Sequence, residues 1–96
     1  MINLLSDTQT KPTAEMREVM MRAEVGDEQA GMDPTVNALL EQTADLLGKE
    51  AALFLPTGTM CNLVAVKTHT QPGRTILVDH LGHILRMETG GAALAS

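Results

Sequence analysis

The chain has 96 residues, with 7 Lys and Arg against 12 Asp and Glu, and a formal net charge of −5 when the histidines are neutral. This acidic balance, without any Lys/Arg cluster, argues against nucleic acid or an anionic membrane as the main partner. The length allows at most one small domain, and Phe54 is the single aromatic residue beside seven methionines. We therefore expect a chain that is marginal by itself or part of something larger.

The predicted elements of the first half are an arm, two helices and a loop. Residues 1–10 predict an extended arm or short strand, and Pro12 suits the first turn of a helix. That helix has one apolar stripe, formed by Met16, Val19, Met20 and Ala23. Residues 25–31 predict an acidic loop. A second helix follows, with Asp33 as N-cap, Pro34 at its first position and Gly48 just after its end.

The second half alternates apolar runs with a helical pattern. Residues 51–55 and 75–78 predict two short buried strands, and a helical period between them begins at about Met60. Pro72 and Gly73 predict a turn. Strands that alternate with helices predict an α/β fold with a parallel sheet. Two short strands cannot complete such a sheet, so we expect the fold to be incomplete.

The junction at residues 53–64, from strand through turn to helix, is the first candidate site. The first N–H groups of a helix are unpaired and carry positive partial charge, Gly58 allows close approach, and Thr57 and Thr59 offer hydroxyls. This pattern suits a phosphate group. The alternative is a loop with a threonine N-cap, and no lysine follows as a Walker motif would require. Spacing alone leaves both interpretations open.

A second candidate site follows the second predicted strand, where His80 and His83 lie with Asp79 and Glu88 nearby. The pair supplies few zinc ligands, and the plain alternative is two surface histidines. A third interpretation is contact with a ligand held at the first site. Because ligands gather at the carboxyl ends of parallel strands, we expect both sites to lie at one rim of the sheet.

Other residues that could carry chemistry have simpler interpretations. Cys61 cannot form an internal disulfide, and its place in an apolar helix predicts a core position. No secretory signal or apolar run of membrane-spanning length is present, so we expect a cytoplasmic protein. A local turn is predicted at Ser6-Asp7-Thr8. Core or interface packing is predicted for four methionines: Met16, Met20, Met21 and Met32.

Four blocks of sequence in order resemble the N-terminal part of the low-specificity L-threonine aldolase family: LLSDTQTKP, VGDEQAGMDPTVNALLE, LGKEAALFLPTGTMCNLVA and DHLGHILRMETGGAA. The resemblance covers nearly all of the chain and extends to aromatic amino-acid β-eliminating lyases. It implies the α/β fold of aspartate-aminotransferase-like enzymes that use pyridoxal 5'-phosphate (fold type I), present here incompletely. Residues 1–48 would be the arm and first helices. Residues 49–96 would begin the large domain with its phosphate loop.

The resemblance also implies a site and a reaction. The residues that match Gly58 and Thr59 hold the cofactor phosphate, and the one that matches His83 lies over the pyridine ring and assists chemistry at the β-hydroxyl. The residue that matches Ser6 reaches the substrate carboxylate. The implied reaction is retro-aldol cleavage of threonine or allo-threonine to glycine and acetaldehyde, with the cofactor as electron sink. The implied assembly is a tetramer with sites shared between subunits, and no metal is implied.

Other positions extend or depart from the family pattern. Asn62 and Glu88 match positions that support the site. Leu5, Ala30 and Met32 stand where the family usually has an arginine, an aromatic and an acidic residue. The resemblance implies that the aromatic missing at Ala30 reaches toward the site of a neighbouring subunit in relatives, so we expect substrate affinity to differ from theirs.

The family's Schiff-base lysine, pyridinium-pairing aspartate and carboxylate-binding arginines match positions well beyond residue 96. Lys11, Lys49 and Lys67 do not lie in the context of the cofactor lysine. Because covalent catalysis of this kind needs an amine at the cofactor aldehyde, we expect the 96-residue chain alone to be inactive. The alternative to an enzyme segment is a truncated, non-catalytic fragment that at most docks on a full-length subunit. A phosphate-binding module unrelated to amino-acid metabolism would require the four-block match to be accidental.

Overall fold

A computed structural model describes residues 2–88 and 90–95, with the backbone alone at position 95. The described part contains a short 3-10 helix, Asp7–Gln9, and the helices α1 (Ala14–Arg22), α2 (Pro34–Leu47), α3 (Gly58–His69), α4 (His83–Arg86) and α5 (Gly91–Ala95). The chain divides into two compact units, Met1–Ala52 and Leu53–Ser96. Within the described residues, no helix has the length and apolar character needed to cross a bilayer.

Helix α2 begins and ends where its cap residues predict. The Asp33 carboxylate accepts the N–H of Val36 at 2.8 Å, and Pro34 occupies the first helical position. At the other end, Gly48 adopts a left-handed conformation (φ 60°), which glycine reaches without strain. The Lys49 N–H then donates to a carbonyl of the last turn, that of Ala44, at 2.9 Å. Both predicted boundaries are confirmed.

The arm and the start of α1 differ from the sequence prediction. Thr13 caps α1 by accepting the N–H of Met16, so the helix begins after Pro12 and the proline is not in its first turn. A threonine hydroxyl satisfies an otherwise orphaned N–H, which makes it the stronger start signal. The predicted extended arm is interrupted by the Asp7–Gln9 turn, which Ser6 caps. The local turn at residues 6–8 is thereby confirmed.

The acidic loop at residues 25–31 is also confirmed, and Asp33 ties it to α2. The second carboxylate oxygen of Asp33 accepts the N–H of Gly26 at 2.9 Å, and the residue is only 7% exposed. Gly26 has no room for a side chain, because an added Cβ would lie 2.2 Å from the Met32 carbonyl oxygen. The cap of α2 therefore also closes the loop before it.

The stability of this unit should depend on pH through Asp33. The N–H groups of Val36 and then Gly26 lower the pKa of Asp33 below its ordinary value. Because the folded-state pKa is the lower one, this stabilisation is complete above the ordinary value of about 3.9 and is lost as pH falls through the lowered value. In Asp33→Asn the side chain has one acceptor oxygen and no charge, so it can accept only one of the two N–H groups. We expect helicity measured by circular dichroism to fall less steeply with acidification in Asp33→Asn than in the wild-type chain.

The matched control for this prediction is Glu41→Gln in the middle of α2, whose carboxylate accepts no hydrogen bond in the described part of the chain. This variant should keep the wild-type dependence on pH. Equal acid slopes for Asp33→Asn and the wild type would contradict the role of Asp33.

The two predicted strands are absent from the described residues. Residues 51–55 and 75–78 lack regular structure, whereas the turn between α3 and the second run is confirmed by the positive φ of Gly73 (87°) and the bond from Arg74 N–H to the Gln71 carbonyl. A strand requires a hydrogen-bonded neighbour, and two short runs do not supply enough buried surface to form a stable parallel pair. The prediction of two formed strands is therefore wrong for the described residues, whereas the expectation of an incomplete sheet agrees with them.

The predicted core is likewise wrong. Cys61 is exposed, and the one apolar side chain buried in the described part of the chain is that of Ala44, at 8% exposure. All four methionines that were predicted as core or interface are at least 58% exposed: Met16, Met20, Met21 and Met32. Short helices without a sheet to pack against leave their apolar faces open. For these methionines the core interpretation fails, and the interface interpretation stays a prediction.

Candidate functional site

The start of α3 is an N-cap made by Thr57. Its hydroxyl accepts the N–H of Met60 at 3.1 Å, and its carbonyl accepts the N–H of Cys61 at 3.1 Å. The threonine-cap interpretation of this junction is therefore confirmed. Because the hydroxyl of Thr57 is engaged in capping, Thr59 is the threonine whose hydroxyl remains available at this end of the helix.

Gly58 and Thr59 present an open set of hydrogen-bond donors. They occupy the first two helical positions, so their N–H groups have no carbonyl partner within α3. Neither those N–H groups nor the Thr59 hydroxyl has another partner in the described part of the chain. A Cβ added at Gly58 would meet nothing within 4 Å. Two backbone donors and one hydroxyl at a positive helix end suit a phosphate, so capping and anion binding are compatible here.

A second cluster joins α3 to the segment around α4. One oxygen of Glu88, Oε1, accepts from Nδ2 of Asn62 at 2.6 Å and lies 3.0 Å from Nδ1 of His83. The Glu88 side chain is 3% exposed, whereas that of His83 is 69% exposed. A buried carboxylate therefore holds one edge of an imidazole whose remaining surface is open. This arrangement leaves Nε2 of His83 as the ring nitrogen that can meet a ligand.

The turn before α4 sets the position of His83. The Asp79 carboxylate accepts the N–H of Leu81 at 2.7 Å, and the Asp79 carbonyl accepts the N–H of Gly82 at 2.8 Å. An added Cβ at Gly82 would lie 2.9 Å from that carbonyl, so glycine fits this tight turn best. His83 follows as the first residue of α4.

His80 does not share the environment of His83. Its side chain is 84% exposed, and its nearest ion-pair partner is Asp79 at 3.9 Å. Within the described ranges, 2–88 and 90–95, no group of three His, Cys, Asp or Glu side chains could hold a metal ion. The surface interpretation therefore describes His80, whereas His83 belongs to the cluster with Glu88. Without a formed sheet, the predicted common rim stays a prediction.

Ser6 lies in the first compact unit, where its hydroxyl makes local contacts. It accepts the N–H of Thr8 at 3.3 Å and lies 2.8 Å from the Thr8 hydroxyl. These contacts explain why a serine stabilises the turn. The substrate-binding role that the resemblance implies for Ser6 stays a prediction.

Comparison of the sequence with known protein families identifies the family of this chain. The family model described as "Beta-eliminating lyase" matches residues 3–96. The chain belongs to the beta-eliminating lyase family. The open N–H donors at the start of α3 and the cluster formed by Asn62, His83 and Glu88 both lie within the residues that the family model matches.

Relatives of this beta-eliminating lyase family member include curated aldolases from bacteria, plants and yeast. It is 53% identical over 94 residues to the low specificity L-threonine aldolase of Escherichia coli K12, covering 98% of this chain and 28% of that protein. Identity to low-specificity L-threonine aldolase 1 of Arabidopsis thaliana is 47% over 91 residues, which is 94% of this chain and 25% of that protein. Identity to the low specificity L-threonine aldolase of Saccharomyces cerevisiae is 42% over 95 residues, which is 98% of this chain and 24% of that protein. The chain thus spans about a quarter of the length of these relatives.

Sequence reasoning alone did not predict that Glu88 joins Asn62 and His83 in this beta-eliminating lyase family member. Asn62 and Glu88 are separated by 26 residues, and no helical or strand period relates them. The resemblance marked both as supporting positions without joining them to His83. The available signal was weak: a carboxylate five residues after a histidine, just past a four-residue helix.

Proposed function

We propose that this chain is a segment of a threonine aldolase that uses pyridoxal 5'-phosphate to cleave threonine or allo-threonine to glycine and acetaldehyde. The observation that carries the proposal is His83, exposed at one ring edge and held at the other by the buried Glu88. This geometry suits a group that handles a proton of a bound substrate. The identity to three proteins named as L-threonine aldolases supports the choice of substrate.

The residues at the start of α3 fit the phosphate of this cofactor. The N–H groups of Gly58 and Thr59 and the hydroxyl of Thr59 donate hydrogen bonds, and the helix end favours negative charge. The open space at Gly58 leaves room for the phosphate oxygens. When bound, the cofactor supplies an electron sink for the electron pair released when the Cα–Cβ bond breaks.

His83 would act on the β-hydroxyl of the substrate. Its imidazole accepts the hydroxyl proton while the O–H electron pair becomes the second bond of the aldehyde carbonyl. The Cα–Cβ bond breaks in the same step, and the electron pair left on Cα later takes up a proton to complete glycine. In this proposal Ser6 binds the substrate carboxylate, and Asn62 and Glu88 support the site.

The proposal extends to the architecture around the site. In the proposed fold, type I with an α/β sheet, residues 51–55 and 75–78 pair as strands with neighbours outside this segment. The exposure of Leu53 (69%) and Leu77 (96%) supports this, since apolar side chains in a finished sheet are normally covered. We include a cytoplasmic homotetramer in the proposal, following the resemblance and the sequence expectation. The exposed methionines of α1 support contact with another chain, since they offer apolar surface.

A non-catalytic segment that docks on a full-length subunit is the second candidate. The observation in its favour is that Ala44 alone among the apolar residues of the described ranges is buried. A chain with so little core of its own gains stability mainly by burying surface against a partner.

A chimera can test the proposed function. In this chimera, residues 3–96 of the present chain replace the matching segment of the E. coli K12 aldolase. If the proposal is correct, the chimera converts L-threonine to glycine and acetaldehyde, measured by coupled aldehyde reduction and by amino-acid analysis. The 96-residue chain alone is the negative control and should release neither product. A folded chimera that binds the cofactor but forms no acetaldehyde would contradict the proposal and favour the non-catalytic segment.

A further inference from the structure

Glu88 is a buried carboxylate with an unusual set of partners. Asp33, the other buried charged residue of the described part, accepts backbone N–H groups with both oxygens, one to cap α2 and one to close the loop before it. Glu88 instead places one oxygen against two side chains, those of Asn62 and His83. Burying a carboxylate is unfavourable unless its partners compensate, and these partners do not cap any helix. Helix capping therefore does not explain why Glu88 is buried.

The chemistry of the three groups restricts where their protons lie. A carboxylate oxygen only accepts hydrogen bonds, and Nδ2 of Asn62 only donates them. With Asn62 donating to Oε1 at 2.6 Å, the contact at 3.0 Å is a hydrogen bond only if His83 carries its proton on Nδ1. In the neutral ring, Nε2 then has a free lone pair. The opposite tautomer would place the lone pair of Nδ1 against the charge of Glu88.

We infer that Glu88 is a positioning residue that holds neutral His83 in the Nδ1–H tautomer, so that Nε2 is a proton acceptor. The tautomer follows from the contacts of Glu88 alone. Its role in catalysis rests on the proposed function, in which Nε2 receives the β-hydroxyl proton. With the opposite tautomer, Nε2 would carry a proton and could not act as a base. The carboxylate thus decides whether the exposed edge of the ring accepts or donates.

Asn62 connects this arrangement to the phosphate-binding end of α3. It lies one helical turn after Gly58, about 6 Å along the axis at 1.5 Å per residue. Its amide donates to Glu88 and so joins that carboxylate to the helix whose first N–H groups suit the cofactor phosphate. The same helix therefore positions the proposed phosphate donors and, through Glu88, the imidazole.

The tautomer can be measured directly on the full 96-residue chain. Two-bond ¹H–¹⁵N correlation spectra of histidine-labelled protein distinguish the Nδ1–H and Nε2–H forms of a neutral imidazole. We expect the Nδ1–H form to dominate at His83. His69, which is exposed and has no side-chain hydrogen bond or ion pair in the described part of the chain, is the internal control and should show the Nε2–H form that free imidazoles prefer.

Two variants separate a positioning role from a merely structural one. In Glu88→Gln the side-chain amide can donate to Nδ1, so the ratio of Nδ1–H to Nε2–H should fall by about tenfold or more, in keeping with loss of one charge-assisted hydrogen bond. In Asn62→Ala the Glu88 carboxyl group is still present to accept from Nδ1, so the Nδ1–H form should persist with a smaller loss. Circular dichroism of each variant monitors helix content.

The outcomes distinguish this inference from the proposed function. A wild-type His83 that shows mainly the Nε2–H form, or a ratio unchanged by Glu88→Gln, would overturn the inference even if the chimera is active. The wild-type spectrum decides the question if a variant fails to fold. Conversely, an inactive chimera would overturn the proposed function while leaving a dominant Nδ1–H form intact.

Discussion

Replacing His83 with phenylalanine should lower kcat for threonine cleavage in the chimera by about 100- to 10,000-fold, the usual contribution of a general acid or base. Phenylalanine keeps an aromatic ring that can stack but has no nitrogen to accept the β-hydroxyl proton. The cofactor phosphate is expected to contact Gly58 and Thr59, so cofactor affinity should change little. Initial rates of acetaldehyde formation give kcat, and titration with pyridoxal 5'-phosphate gives the affinity.

The control for this prediction is His80→Phe. His80 is 84% exposed and makes no contact with Glu88, so its replacement should leave both quantities near their wild-type values. An unchanged kcat in His83→Phe would reject the proton-handling role. Equal losses in the two variants would indicate a general effect on the segment between α3 and α4.

Gly58→Val should weaken binding of pyridoxal 5'-phosphate by about 10- to 100-fold, the loss expected when one or two hydrogen bonds to a charged group are blocked. A Cβ added at Gly58 would meet nothing within 4 Å beyond its neighbours and the backbone of α3, so the first added carbon has room in the described part of the chain. The methyl groups instead occupy the space in which phosphate oxygens would approach the N–H groups. Fluorescence titration of the chimera with the cofactor provides the measurement.

Ala14→Val is the matched control, because Ala14 occupies the same first helical position in α1, behind the same kind of threonine cap. It introduces the same β-branched residue without touching the start of α3, so cofactor affinity should be unchanged. An affinity unaltered in Gly58→Val would remove Gly58 from the phosphate site. Thr59→Val then measures the contribution of the hydroxyl alone.

The predictions that held concern interactions within a few residues of the chain. The Asp33 cap, the left-handed Gly48 and the Pro72-Gly73 turn are each decided by groups that lie within one turn of one another. The family resemblance was also readable, because four ordered blocks are far more specific than any single motif, and the family match over residues 3–96 confirms it.

The predictions that failed depend on groups from elsewhere. Residues 51–55 and 75–78 have the composition of buried strands, yet a strand exists only with a hydrogen-bonded partner. Cys61 and Met16 have the periodicity of core positions, yet burial requires a surface that covers them. In both cases the local sequence pattern indicates a strand or a buried position. A neighbouring strand or a covering surface is still needed for that strand or that burial to form.

The sequence by itself determined the helix caps, the open donors at the start of α3 and the membership in a lyase family. Only the tertiary structure brought Asn62, His83 and Glu88 together, with the carboxylate 3% exposed and one edge of the imidazole open. The physical reason is distance along the chain. A cap is made by atoms that the backbone already holds close together, whereas a contact across 26 residues forms only when the intervening chain folds back on itself.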